Sequence, residues 1–307
     1  MKAAVLTIGD ELICGYQLDT NAQFISRRLA ALPADVVLHM SVGDDLDAIH
    51  TALHVAMHMT SAEGEPAAAV VSGGLGPTED DLTRQAVAAH FGLPLVEDAG
   101  ALAHIRERFA HRGRQMPESN RIQARVPAGS QIIHNSRGTA AGFYLQARDG
   151  KHVFVVPGVP YEMQGMLEDF ILPRLRELVE TDIQVRRAFV KIYGLPESEI
   201  NERIRPMLAR DRNPLLGLLP SMGTITVEIV ARSVTLEEAE ALIEADLAAL
   251  RAELEQHVIS EDGRDLPQVV ADLLVERGLT IAVAEVGTGG LVAARLTEVD
   301  GCERWFR

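Results

Sequence analysis

Cysteine is almost missing from this chain: Cys14 and Cys302 are the only two in 307 residues, far apart and without a partner pattern. That excludes a disulfide framework and a cysteine-based zinc site, and it predicts a cytoplasmic protein. Basic residues are also scarce, 29 Lys and Arg against 44 Asp and Glu, for a formal charge of -15. Domains that grip a nucleic-acid backbone usually present a basic face, so nucleic acid is not expected as a partner. No apolar run approaches the roughly 20 residues that cross a bilayer, and residues 3–8 are too few for a signal peptide, so no membrane role is expected. None of the ten histidines is spaced as a ligand pair with a carboxylate. Two common phosphate-binding words are absent, a Walker A ending in Gly-Lys-Ser/Thr and the Gly-x-Gly-x-x-Gly spacing, and no Gly-x-Ser-x-Gly elbow surrounds Ser72.

What is present is ordinary globular composition, 47% hydrophobic and 24% charged, in a length that suits two or three domains. Residues 3–8 form a continuous apolar run that meets Gly9, Asp10 and Glu11, as a buried parallel strand would on delivering acids into its carboxyl-end loop. Ala22, Ile25, Leu29 and Leu32 recur at helical spacing, Val36 to Val42 alternate as a second strand, and residues 67–71 read as a third. The repeated strand–helix order predicts an α/β fold with a parallel sheet. A boundary is expected within residues 179–184, followed over 183–260 by a small α+β domain: a strand at 187–193, a helix bearing Ile200, Ile204 and Leu208, alternation at 224–231 and a long acidic helix. Residues 260–265 read as a linker to a partial C-terminal α/β segment, 266–307, with a strand at 280–285 between two helices. So short a segment buries little core unaided, so it is expected to be the beginning of a domain, and a homo-oligomer is expected as a way to cover its apolar surface.

Residues 70–81 are chemically the most specific stretch. An apolar strand breaks into Gly73, Gly74 and Gly76 and ends in Pro77, Thr78 and three acids, Glu79, Asp80 and Asp81. Glycines let backbone N–H groups approach a bulky anion, and adjacent carboxylates suit a hard cation. In parallel α/β sheets the ligand crevice lies beyond the carboxyl ends of the strands. That places Gly9 to Glu11 beside this loop, and also Pro157, Gly158 and Glu162 if residues 153–156 are a strand of the same sheet. Ser72 and Thr78 are expected as hydroxyl donors to phosphate. Asp80, Asp81 and Glu11 are the candidate catalytic carboxylates, and Asp10, Asp80 and Asp81 the candidate ligands of a divalent metal ion. The alternative for Asp81 is an ordinary acid in a helix first turn. Asn120, Asn135 and Thr139 either touch ligand or satisfy loop backbone. Six arginines between positions 103 and 125 either make a solvated face or contact a small anion.

The ordered words Gly9-Asp10-Glu11-Leu12, Asp19-Thr20-Asn21, the run from Ser72 to Thr83, Met116-Pro117 with Asn120 and Gln123-Ala124, Asn135 with Gly138-Thr139-Ala140 and Gly142-Phe143, and Pro157-Gly158-Val159-Pro160 with Glu162-Met163 resemble the CinA family of competence/damage-inducible proteins. The resemblance implies three parts: a molybdopterin-binding fold built on a three-layer parallel-type sheet over 1–178, a KH-type domain over 183–260, and a nicotinamide-nucleotide amidase segment over 266–307. It further implies metal-dependent hydrolysis of a small nucleotide, ADP-ribose to AMP and ribose 5-phosphate, and adds Gly9, Gly138, Pro157, Gly158 and Glu162 to the ligand-binding set. A molybdopterin-handling adenylyltransferase and a non-catalytic nucleotide-binding protein are the alternatives. The amidase part departs from the family. Its Ala-Glu-Ser-Cys-Thr-Gly-Gly is here Ala284-Glu285-Val286-Gly287-Thr288-Gly289-Gly290, and the chain stops at Arg307. A valine cannot attack a carboxamide, so amidase activity is not expected.

Overall fold

A computed structural model of the chain describes residues 1–61, 66–147, 150–179, 182–221 and 223–307. These fall into two compact units, Met1–Thr181 and Asp182–Arg307. The boundary expected within 179–184 includes residues 180–181, which lie outside the described residues.

In the first unit β1 (Lys2–Ile8) runs into a short helix, α1 (Asp10–Ile13). The Asp19 carboxylate accepts the Ala22 N–H and so starts α2 (Thr20–Leu29), which buries Ala22, Ile25 and Leu29 at the predicted spacing. Then come β2 (Asp35–Val42), α3 (Leu46–Met59) capped by Asp45, β3 (Ala67–Ser72), α4 (Thr83–His90), β4 (Leu95–Glu97) and α5 (Ala99–His111). The unit closes with β5 (Arg125–Pro127), β6 (Gln131–Ile133), β7 (Gly142–Gln146), β8 (His152–Val156), α6 (Pro160–Met166) and α7 (Leu172–Leu178). The main sheet has the order β2-β1-β3-β8-β7-β6. Its first four strands are parallel, while β7 runs antiparallel to both β8 and β6.

Alternate side chains of β1 enter two different cores, which makes this a three-layer fold. Ala3 and Val5 pack with α2, α6 and α7, whereas Ala4, Leu6 and Ile8 pack with α3 and α4. A strand covered on both faces has no solvent side, hence the unbroken apolar run at 3–8.

One buried polar pair makes stability in this unit depend on pH. His152 is 3% exposed, and its Nδ1 lies 2.7 Å from the Tyr144 hydroxyl, within hydrogen-bond distance. Burial, and then the Arg174 guanidinium, push the imidazole below its usual value. The fold therefore favours neutral His152, a contribution present above the unfolded value of about 6.5 and lost as pH falls through the lower folded one. The urea midpoint is expected to fall between pH 7 and pH 5, and His152→Gln should flatten that slope. An equal slope in both proteins would refute the assignment.

The second unit is built on β9 (Gln184–Tyr193), α8 (Glu197–Arg203), β10 (Leu215–Ser221), β11 (Thr224–Ser233), α9 (Leu236–Leu254) and β12 (Val258–Ser260). Its strands form an antiparallel sheet in the order β10-β11-β9-β12, and Leu247, Leu250 and Leu254 of α9 share a core with Val190, Ile192, Val227 and Ile229. The helix expected to run through Leu208 ends at Arg203, just before Pro206, whose ring removes a backbone donor. Residues 260–265 are not a free linker. Ser260 belongs to β12, Asp262 bridges Phe189, and the Asp265 carboxylate lies 2.9 Å from Lys191 Nζ. In 266–307 the helices α10 (Leu266–Glu276) and α11 (Leu291–Thr297) are present, but the strand expected at 280–285 is reduced to a bridge between Ile281 and Phe306. Ala271, Leu296 and Trp305 form a small core there. No helix among the described residues is long and apolar enough to cross a membrane.

Candidate functional site

The loops after β1, β2, β3 and β8 meet at the carboxyl edge of the sheet, around a cleft of about 450 Å³. Its floor is the glycine turn. Gly73 donates its N–H to Val156 O at 3.0 Å, prolonging the β3–β8 ladder. At φ +120° a Cβ on Gly73 would fall on Ile8 O, so only glycine permits this approach. The Thr83 hydroxyl donates to Gly73 O at 2.9 Å. In a planar trans peptide the carbonyl and the following N–H point in opposite directions, so the Gly74 N–H is turned away from Thr83. Beneath the loop Arg84 donates through Nη2 to Leu75 O and to Gly76 O, the latter at 3.0 Å, and Gln123 Nε2 reaches Leu75 O at 3.4 Å. Three carbonyls of the turn are thus held by side chains. Arg84 is 0% exposed, and burial lowers its guanidinium to about 10 against the pull of Asp81.

The acids do not share one role. Asp81 accepts the Gly76 N–H at 2.5 Å, the Thr78 N–H at 2.8 Å and the Thr78 hydroxyl, so both its oxygens turn back onto the loop. Asp10 accepts the Asp44 N–H at 3.1 Å while its own N–H goes to the Asp44 carboxylate at 2.9 Å, and it does not line the cleft. Asp44 does. Burial pushes its carboxyl up, and the neighbouring charges of Asp10, Glu11 and Asp80 push the same way, against the Asp10 N–H bond. Asp80 is exposed, and the Thr78 side chain beside it holds its carboxyl below the usual range, although the hydroxyl proton itself goes to Asp81. Glu11 lies over Gly9, where a Cβ would sit 2.6 Å from its carboxylate.

Several predicted ligand-binding residues act as fasteners instead. The Ser72 hydroxyl, expected as a phosphate donor, donates here to Pro157 O at 3.1 Å and accepts from Asn21 Nδ2 at 3.0 Å. Asn21 also donates to Gly158 O at 2.7 Å, so Asn21 and Ser72 lock the β3 and β8 loops together. The Thr78 hydroxyl faces Asp81. Asn120 stands behind the wall and orients Gln123, donating to its Oε1 at 3.0 Å. Asn135 donates to Ala140 O and to Glu162 at 2.6 Å, and accepts the N–H groups of Arg137 and Gly138. A Cβ on Gly138 would overlap the Glu162 carboxylate. Gly9, Gly73, Gly74, Gly76, Thr139, Pro157, Gly158 and Glu162 do line the cleft, with Glu11, Asp80 and Asp81. Sequence reasoning missed Asp44, Arg84, Gln123 and Asn21 as parts of the site. Asp44 was traceable, because it follows the end of β2 as Asp10 follows the end of β1. Of the arginines between 103 and 125, Arg121 pairs with Glu97 at 2.5 and 3.0 Å, and Arg108 donates to Arg137 O at 2.8 Å. Among the described residues no three His, Cys, Asp or Glu side chains are grouped to hold a metal ion by themselves.

Residues 4–177 match the family model described as a probable molybdopterin binding domain, residues 187–260 that of the damage-inducible protein CinA KH domain, and residues 263–307 that of the CinA C-terminal domain. The chain is 35% identical over 306 residues to a putative competence-damage inducible protein of Caldicellulosiruptor saccharolyticus, covering 100% of this chain and 72% of the relative. It is 38% identical over 307 residues to a CinA-like protein of Gemmatimonas aurantiaca, covering 99% and 70%. The crystal structure of the protein CinA, of unknown function, from Thermoplasma acidophilum is 34% identical with a TM-score of 0.51, covering 58% of this chain and 98% of that one.

Proposed function

The chain belongs to the CinA family, with a molybdopterin-binding fold in its first half, and from that premise we propose that the cleft hydrolyses the phosphoanhydride of a nucleotide diphosphate, ADP-ribose giving AMP and ribose 5-phosphate. The observation that carries this reading is the glycine turn: its carbonyls are tied down behind it, and carboxylates stand across the cleft from it. The Gly74 and Leu75 N–H groups then serve as donors to diphosphate oxygens, and Glu11 accepts the proton of the attacking water. Asp44 and Asp80 would hold a divalent cation jointly with the substrate's own phosphate oxygens. One or two carboxylates are the ordinary protein share of such a site, which fits the absence of a three-carboxylate cage among the described residues. When bound, the ion neutralises the diphosphate. No acyl transfer is assigned to residues 284–290, because Val286 carries no nucleophile.

Incubating the purified chain with ADP-ribose and Mg, Mn, Co or Ni, and following AMP by chromatography, tests the proposal. Release of AMP is expected, with Asp80→Asn lowering kcat by about 10- to 100-fold. No AMP with any metal would sink the hydrolase, and tight binding of molybdopterin unaffected by ADP-ribose would favour a pterin-handling enzyme.

A further inference from the structure

Among the described residues, the cleft proposed to receive a diphosphate is lined by five carboxylates, Glu11, Asp44, Asp80, Asp81 and Glu162, and by no Lys, Arg or His. A wall of that sign repels a polyanion. The positive charge lies underneath. Arg84 is wholly buried, its Nη2 holds Leu75 O and Gly76 O, and its Nε and Nη1 have no hydrogen-bond partner. Asp81 is the acid that attracts it, but the oxygens of Asp81 are already filled by Gly76 and Thr78. Fastening two carbonyls needs only a neutral donor. A buried guanidinium without a bonded carboxylate is costly, so its charge calls for a further partner.

We infer that Arg84 is a positioning residue that keeps a positive charge beneath the glycine loop, so that the loop's affinity rises with the negative charge of the phosphate chain it receives. The inference rests on the phosphate reading of the cleft. It extends that reading to what the site measures: it selects phosphate chains by charge, through a side chain that never touches them. A buried charge is screened less than one in water, so it acts on a phosphate it does not touch.

Calorimetric titration of adenosine, AMP and ADP, with magnesium present, tests this on the wild type, Arg84→Gln and Arg84→Lys. Glutamine keeps a donor for the two carbonyls and removes the charge; lysine keeps the charge. Wild type is expected to bind ADP over AMP over adenosine. Arg84→Gln should leave adenosine within about twofold, and should lose roughly tenfold more affinity for each added phosphate. Arg84→Lys should recover most of the loss for ADP. A loss by one common factor for all three ligands, or a lysine variant no better than glutamine, would make Arg84 a fastener only and overturn the inference. Wild type binding adenosine as tightly as ADP would overturn it without any variant. Failure of wild type to bind ADP at all would overturn the phosphate reading along with it, so the two failures are distinguishable.

Discussion

Gly73→Ala is expected to lower the thermal midpoint of the first unit by roughly 10 °C, the largest stability effect of any single substitution at the glycine turn. The added methyl would fall on Ile8 O, with Ile8 C at 3.0 Å and Ile8 N at 3.2 Å, and all three are backbone atoms of β1, an interior strand of the sheet. No rotamer change relieves a clash with a carbonyl that is itself in a parallel sheet. The φ of +120° adds conformational strain for any L-residue. Strain of about 1–3 kcal/mol and overpacking of about 1–3 kcal/mol together give roughly 2–6 kcal/mol, and each kcal/mol moves the midpoint of a domain this size by about 2–4 °C. Gly129→Ala is the control, since Gly129 also has a positive φ, +85°, but a Cβ there meets nothing within 4 Å. Calorimetry of both variants separates the two terms. If Gly73→Ala melts within about 2 °C of Gly129→Ala, the close approach of the β1 and β3 loops is not what holds the site.

The elements legible in the sequence were those whose burial is symmetrical. β1, β3 and β8 are covered on both faces and so appear as plain apolar runs, and a run that ends in glycine announces a strand-end loop. What periodicity does not encode is direction. Nothing in Gly142–Gln146 signals that β7 reverses against β8, because an antiparallel strand in a covered sheet has the same apolar run as a parallel one. Partnership is equally silent: residues 280–285 have a strand's composition but pair only through Ile281, while the polar residues after Ser260 are pinned to β9 by Asp262 and Asp265. At the site, residue type identified the loop but not the assignment of roles within it. Asp80 and Asp81 are indistinguishable as neighbouring acids, yet the turn exposes one and folds the other back onto Gly76 and Thr78. Arg84 was missed for the opposite reason, since an arginine in a helix first turn is ordinarily solvated and here it is wholly enclosed.

Asp81→Asn is expected to lower kcat/KM for ADP-ribose by about 100-fold or more while moving the thermal midpoint by only a few degrees, roughly. Asparagine has the same shape but presents one oxygen and one NH₂ where the aspartate presents two oxygens. Whichever way the amide turns, an NH₂ then faces either the Gly76 N–H or the Thr78 N–H, donor against donor, and one backbone bond of the turn is lost. The stability cost stays small because Thr78 and Asp80 are exposed and the freed groups find water. The catalytic cost is large because the same turn sets the direction of the Gly74 and Leu75 N–H groups, and a displacement of about 1 Å in such donors costs about 100-fold. A direct metal ligand would predict a similar loss, but the two roles separate with metal concentration. A lost ligand weakens metal affinity, so activity would return as metal is raised; a lost turn would not be restored by metal. Thr78→Val, which removes one of the three bonds and no carboxylate, distinguishes them a second way. If Asp81 organises the loop, this variant reproduces part of the Asp81→Asn defect at saturating metal. If Asp81 binds the ion, Thr78→Val acts only by loosening that ligand, and its defect disappears as metal is raised. The geometry favours the first outcome, because both oxygens of Asp81 are already bonded within the turn.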